Sequence, residues 1–370
     1  MGHLGNAVAA ALAAFFVVLA TTPLVERRAV HRGLVDRPGG RHLHARAVPR
    51  LGGIALMAGW VAGSAVLWAT GTPAETLVRV LGGTAVVWLV GLYDDIRGLS
   101  PRAKLAGQLA AAAVAVGSGL RIEFVSIPSF LGHAGPIAHL GQWAVPVTIL
   151  WLVGVSNAVN LLDGLDGLAA GVVAIAAVPT IVAAEATGLS EAAALLSVLA
   201  AGCVAFLRYN FSPARIFMGD GGALALGFAF AAASALGTAK GPAVMALLVP
   251  VMSLGVPLAD TAWAILRRSL TGKPVGRADN GHVHHRLLAR WHVPSQVVLA
   301  LYAASAELGA LGLLLSPQKR ITVVPALVLA AAAVLLAARV AWDRFGWDQQ
   351  HLDLNKGEGV EDGGGRDARL

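Results

Sequence analysis

Apolar residues fill this chain in blocks about as long as a bilayer crossing, and polar residues are confined to the gaps between them. At about 20 residues per crossing, the pattern predicts eleven helices. They cover residues 4–25, 51–69, 77–92, 103–118, 140–158, 168–186, 190–207, 222–236, 242–266, 296–315 and 320–341. The first block has no basic residue before it and is long enough to span, so it reads as a retained helix rather than a cleaved signal peptide. Between the fourth and fifth blocks, residues 121–139 carry β-branched side chains with Gly132, Gly135 and Pro136, which predicts a small hairpin. From residue 342 to 370 the chain is polar, Gly-rich and mixed in charge, the composition of a disordered tail. The expected architecture is an all-α polytopic membrane protein with one transmembrane domain, residues 1–341.

Composition sharpens this picture. Of 370 residues, 56% are hydrophobic and only 13% charged, against about 25% charged in soluble proteins. The mean hydropathy is +0.69. A soluble globular protein is excluded. The net charge of +7 would suit a nucleic-acid partner, but the basic residues sit in short gaps between apolar blocks. That is how membrane topology is written, and no nucleic-acid partner is expected. Of the 28 Lys and Arg, 22 fall in loops on one side and four on the other, which sets the N-terminus outside and the C-terminus in the cytoplasm. The single cysteine, Cys203, lies in an apolar run and reads as packing.

With sidedness set, the acidic residues become informative. Asp94, Asp95, Asp163, Asp166, Asp220, Asp260 and Asp279 all lie at or near cytoplasmic helix ends, with His44, His282, His284 and His285 on the same side. Only Glu307 falls well inside a helix. A transporter or proton relay would gather such groups near the midplane. A ring at the cytoplasmic mouth favours chemistry on a water-soluble substrate at the membrane surface.

Four clusters carry that chemistry. Asp94 and Asp95 end the third helix ahead of a cationic stretch containing Lys104, as a Mg²⁺- or phosphate-handling pair or as ordinary partners of nearby arginines. Asn160, Asp163 and Asp166 recur every three residues, so they share a face if helical, and no Lys or Arg neutralises them locally. Gly219, Asp220, Gly221 and Gly222 open a helix, a place for backbone N–H groups to meet phosphate and for Asp220 to hold Mg²⁺ or to cap the helix. His282, His284 and His285 lie in the long basic loop before the tenth helix. No cysteine or His-Glu-x-x-His pattern accompanies them, so phosphate or sugar contacts fit better than zinc. Carboxylates, cationic donors and an apolar bundle together suit phosphoryl-type transfer between a nucleotide-linked substrate and a membrane lipid.

At these residues the sequence closely resembles the polyprenyl-phosphate N-acetylhexosamine-1-phosphate transferases, a group within glycosyltransferase family 4. The resemblance rests on Asp94–Asp95, Asn157 through Gly167, Phe217 through Gly222 and the His282-Val283-His284-His285 run, in that order. An N-terminal match joins them, with Asp36, Pro38, Arg41, His44, Pro49, Gly52 and Gly53. The resemblance covers about residues 20 to 295. It implies a reaction in which undecaprenyl phosphate attacks the sugar-linked phosphorus of a UDP-N-acetylhexosamine, releasing UMP and opening cell-envelope polysaccharide synthesis. It implies a Mg²⁺ cofactor, replaceable by Mn²⁺, held by Asp220 with Asp94. Asp94, Asp95, Asp163 and Asp166 become the expected catalytic carboxylates. Asn160, Asn210 and Phe217 would line the uridine-diphosphate site, with Phe217 stacked on uracil, and Lys104, His282, His284 and His285 would contact phosphates. His44 of the N-terminal motif and Arg268 of the late basic cluster complete the expected substrate-binding set. One departure stands out: relatives often carry lysine directly after the position of Arg41, and here it is His42.

The family divides between a MraY-like branch acting on UDP-MurNAc-pentapeptide and a WecA/TagO-like branch acting on UDP-GlcNAc. The interrupted histidine run followed by Arg286, and Pro257 with Asp260 and Thr261, resemble the second. The expected partners are UDP-GlcNAc, undecaprenyl phosphate and the inner-membrane bilayer, with a homodimer compatible with the sequence. The rival readings are a transporter working through Glu307, another UDP-amino-sugar, and an inactive scaffold whose motif carboxylates would show gaps. None of those carboxylates is missing.

Overall fold

A helix that is apolar on every face has to be enclosed by others. The 17-residue helix α8 (Gly219–Ala235) meets that condition, with every residue from Gly221 to Ala235 buried. The computed structural model describes residues 2–36, 47–126, 137–236, 247–271, 282–316, 324–325, 327–332 and 335. Around α8 stand α2 (Gly52–Ala69), α3 (Ala74–Arg97), α5 (Ala144–Leu162), α6 (Leu168–Ala186) and α7 (Ser190–Asn210). Outside these, α1 (Gly2–His31) packs on α2 and α7, and α4 (Pro101–Gly117) packs on α3. The last part comprises α9 (Leu248–Ser253), α10 (Gly255–Leu270), α11 (Val283–Trp291) and α12 (Pro294–Leu315). Of these, α9 and α12 rest on α6, and α11 rests on α12.

Seven helices, α1, α2, α3, α5, α6, α7 and α12, are long and apolar enough to cross a membrane. The chain is an all-α, multi-pass membrane protein. Helices α4, α8 and α10 match three further predicted blocks but have 17, 17 and 16 residues. The block expected over 320–341 and the tail over 342–370 lie largely outside the described residues.

Two expectations change. The ninth block breaks at Leu254 into α9 and α10, because Pro257 has no N–H to give the Ser253 carbonyl one turn back. The histidine segment, read as loop, folds from Val283 as α11. Its apolar residues Val283, Leu287, Leu288 and Trp291 pack on the main core. They recur at helical spacing over a stretch too short to register as a span.

The hairpin expected after α4 is present as β3 (Phe124–Ser126) and β4 (Ile137–His139), antiparallel with Phe124 opposite His139. A second ribbon pairs β1 (Val35–Asp36) with β2 (Val48–Pro49). It leads into α2, whose first amides are satisfied from another segment. Gly52 and Gly53 donate to the carbonyls of Phe217 and Met218, at 2.9 and 2.8 Å.

Close approach at the start of α8 depends on absent side chains. A Cβ at Gly91 of α3 would lie 2.6 Å from backbone atoms of Asp220 and Gly221. Gly154 of α5 faces open space. Gly91→Ala should therefore cost about 1–3 kcal/mol by overpacking and lower the melting temperature in detergent. Gly154→Ala should leave that temperature unchanged or slightly raised, and equal effects of the two would contradict this packing.

Candidate active site

Loops and helix ends from across the chain surround a cavity of about 350 Å³ at one end of the bundle. Asp36 of β1 and Arg50, just after β2, form one wall. Asp95 comes from the last turn of α3, and Asp163, Gly164, Leu165 and Asp166 from the loop between α5 and α6. Asn210 ends α7, Phe217 precedes α8, and Gly219 and Asp220 begin it. The volume lies within the range of small-molecule sites.

The two adjacent aspartates of α3 point apart, as neighbours on a helix must. Asp95 accepts the N–H groups of Asp220 and Gly221, at 2.8 and 2.9 Å, one on each carboxylate oxygen. The backbone donors expected to meet phosphate at this glycine-rich turn are therefore taken by Asp95. Asp94 accepts the Leu99 N–H and pairs with Lys104 at 2.9 Å. Lys104, from the first turn of α4, also binds Asp220, so one ammonium bridges two carboxylates.

The α5–α6 loop is fixed from behind. Its Gly167 donates its N–H to Asn210 Oδ1 at 3.1 Å, and its carbonyl accepts the Tyr302 hydroxyl of α12 at 2.7 Å. Asn210 also donates to the Ile216 carbonyl, and Asp166 accepts the Ala214 N–H. Thus the loop holding two carboxylates and the segment leading to α8 are tied by side chains of the same motifs. Asp163 is reachable from the cavity yet walled round by protein. Burial first, then the charges of Asp220, Asp95 and Asp166, push its carboxyl up to about 8.

Helix α11 closes over this loop. His282 Nδ1 lies 2.8 Å from Asp260 Oδ2, and Asp260 Oδ1 accepts the Val283 N–H at 2.9 Å. The His282 and His284 rings stack with 6° between their planes, and the His284 and His285 centroids are 4.3 Å apart. His284 is buried, and its imidazole stands where a Cβ on Gly164 would sit. Neither of its ring nitrogens has a hydrogen-bond partner among the described residues. Burial, with the charges of His285 and His282, pushes its pKa down to about 4.

The structure thus brings Asp95, Asp163, Asp166, Asn210, Phe217 and Asp220 around one cavity. Asp94 and Lys104 adjoin it through Asp220, and His284 through Gly164, with His282 and His285 packed on the His284 ring. Asn160 sits in the last turn of α5, its carbonyl accepting the Asp163 N–H, and does not line the cavity. Arg268 is buried in the last turn of α10, also away from the lining. His44 lies outside the described residues. Asn157 is engaged with Gln108 in a reciprocal amide pair. Sequence reasoning counted Arg50 only for sidedness and gave Asp36 no role. The available signals were the place of Arg50 beside Gly52 and Gly53 and that of Asp36 at the head of the N-terminal motif.

Among the described residues no three carboxylate, imidazole or thiol groups converge on one point. Mg²⁺ needs only one or two carboxylates and completes its shell with waters and substrate oxygens. Asp220 and Asp163 both open on the cavity and can serve, whereas Asp94, the partner expected for Asp220, does not line the cavity and is paired with Lys104. The surplus of carboxylates that raises Asp163 is the setting in which a divalent cation is favoured.

A family model described as glycosyl transferase family 4 matches residues 77–238. The chain is 40% identical over 296 residues to a Bacillus subtilis protein named probable undecaprenyl-phosphate N-acetylglucosaminyl 1-phosphate transferase, covering 80% of this chain and 81% of that one. It is 37% identical over 321 residues to a Mycobacterium tuberculosis decaprenyl-phosphate N-acetylglucosaminephosphotransferase, covering 78% and 77%. A phospho-N-acetylmuramoyl-pentapeptide-transferase of Desulforudis audaxviator is 34% identical over 333 residues, covering 82% and 96%.

Two outcomes are expected. Asp95→Ala leaves two partly buried amides of α8 without their carboxylate, which should cost about 1–3 kcal/mol, seen as a lower melting temperature. His284 stays neutral in the folded chain down to about pH 4, while the unfolded chain takes up a proton below 6.5. Stability present above pH 6.5 should therefore fall by up to about 3 kcal/mol as the pH drops to 4. His284→Phe should flatten that fall in melts recorded across the same pH range.

Proposed function

This chain belongs to glycosyl transferase family 4, and from that membership we propose that it transfers N-acetylglucosamine-1-phosphate from UDP-GlcNAc to undecaprenyl phosphate. UMP is released, and the lipid-linked sugar opens the synthesis of a cell-envelope polysaccharide. The observation that carries this reading is the carboxylate-lined cavity at the N-terminal end of α8, flanked by Lys104, Arg50 and the α11 histidines. The names of the N-acetylglucosamine relatives support the sugar, as does the interrupted histidine run. In this reading the chain crosses the inner membrane eleven times, with the N-terminus outside and the cavity on the cytoplasmic face. The excess of basic residues in the loops at the cavity end supports that orientation.

Phosphoryl transfer asks mainly for in-line placement and charge neutralisation. An oxygen of the lipid phosphate forms a bond to the sugar-linked phosphorus, and the bond from that phosphorus to the UMP oxygen breaks. The lipid phosphate, with a second pKa near 6, is already largely ionised at pH 7 and needs no strong base from the protein. Asp94, held by Lys104 and Leu99, then serves to position the Lys104 ammonium. Asp220 and Asp163 would hold Mg²⁺, or Mn²⁺ in its place, and the ion would neutralise diphosphate oxygens. Phe217 presents an aromatic face to the uracil, and Arg50, Lys104 and the α11 histidines face the phosphates.

The test is UMP release by purified protein in detergent with Mg²⁺ and undecaprenyl phosphate. UDP-GlcNAc should turn over, and UDP-MurNAc-pentapeptide should not. Asp220→Asn should lower turnover by at least about a hundred-fold, and EDTA should abolish it. Turnover of the pentapeptide substrate alone would overturn the sugar, and no turnover of either would overturn the reaction.

A further inference from the structure

Helix α11 has nine residues and follows a segment outside the described residues. Such a short helix is held by its contacts rather than by its own hydrogen bonds. Its apolar face is held by α12. Its N-terminus, where the histidines are, carries unsatisfied amides and the positive end of the helix dipole. His282 at the cap position makes no side-chain cap bond of its own. The cap comes instead from α10, as the carboxylate of Asp260.

That carboxylate makes two bonds with two consequences. Oδ1 accepts the Val283 N–H at 2.9 Å and so fixes where α11 begins. Oδ2 lies 2.8 Å from His282 Nδ1. A carboxylate only accepts, so Nδ1 carries the proton and the ring orientation is set. His284 is stacked parallel to His282, and its edge meets Gly164 beside Asp163. Asp260 itself does not line the cavity. Its two hydrogen bonds go to His282 and Val283, where α11 begins.

We propose that Asp260 is a positioning residue for the nucleotide end of the site, capping α11 and orienting His282 so that the histidine cluster is held against the Asp163–Asp166 loop. The inference rests on the assignment of UDP-GlcNAc as donor substrate. It is specific: the inference assigns the lipid phosphate to the Lys104–Asp94 side of the cavity, whose contacts do not involve α10 or α11, so loss of Asp260 should weaken the nucleotide and spare the lipid.

The experiment compares wild type, Asp260→Ala and Asp260→Asn in detergent with three readouts: UMP affinity, the two KM values, and amide exchange across α11. Asp260→Ala should bind UMP about ten-fold more weakly, the scale of a lost charge-assisted bond. KM for UDP-GlcNAc should rise in parallel while KM for undecaprenyl phosphate stays within about two-fold, and exchange at Val283 to Arg286 should quicken. Asp260→Asn keeps an acceptor for the Val283 N–H and should recover slow exchange and part of the UMP affinity. It also carries the test if the alanine variant does not fold, and undiminished UMP affinity in it would then overturn the proposal. Unchanged UMP affinity and α11 exchange in Asp260→Ala would overturn it, as would an equal rise in both KM values. Failure of wild type to release UMP from UDP-GlcNAc would instead sink the reaction assignment, leaving UMP binding and amide exchange to decide on Asp260.

Discussion

The site depends on how one carboxylate, that of Asp95, meets the first turn of α8. The first turn of α8 has no residues of its own helix to accept its leading amides, and these amides need partners from elsewhere. Asp95 reaches across from α3 and accepts two of them. The negative charge also lies at the favourable end of the helix dipole. With that contact made, the position of Asp220 is no longer free. Its backbone is held by Asp95, and its side chain projects toward the cavity and Lys104.

Much of the remaining architecture serves that contact. Helix α3 can come near enough only because Gly91 has no side chain, and α2 only because Gly53 lies against Gly222. On the other flank α5 is hydrogen-bonded to the α8 backbone, through Ser156 to the Leu224 carbonyl and Trp151 to the Ala231 carbonyl. Each bond gives a polar side chain a partner inside an apolar bundle, where an unpaired one is costly. The abundance of Ala and Gly in the sequence thereby acquires a physical reason: thin helices let several of their ends converge.

How much of this could be read beforehand differs by residue. The spans were legible because apolar length is a direct requirement of the bilayer, and α1 to α8 appear close to their expected places. Asp163, Asp166 and Asp220 stood out because carboxylates without local cations need an explanation. The break at Leu254 was not anticipated, because hydropathy averages over the effect of Pro257. Helix α11 was missed because nine residues are too few for a span, although its apolar spacing was present. The functions of Asp94 and Asp95 could not be separated from sequence. Two neighbours on a helix face different elements, and which one faces α8 depends on how α3 is rotated. Arg50 was equally hidden, since its use follows from the pairing of residues 49–53 with 217 and 218, some 160 positions away.

A division of labour among the polar groups follows from these contacts. Asp95, Asp260, Asn210, Gln108 with Asn157, and Tyr302 are engaged by backbone groups or by other side chains, and they fix positions. Asp163, Asp166, Asp220 and Phe217 are held by those residues or lie beside them, and they present themselves to the cavity. Groups of the first kind are tied by hydrogen bonds to other segments of the chain, so the second kind need not reorganise when charge arrives. That is the condition under which fixed charges and dipoles act strongly on a transferring phosphoryl group. It also explains why the carboxylates can be crowded here at all. Their repulsion is borne by a framework tied at Gly167, at the start of α8 and at the start of α11, and a cation bound among them would relieve that repulsion in place.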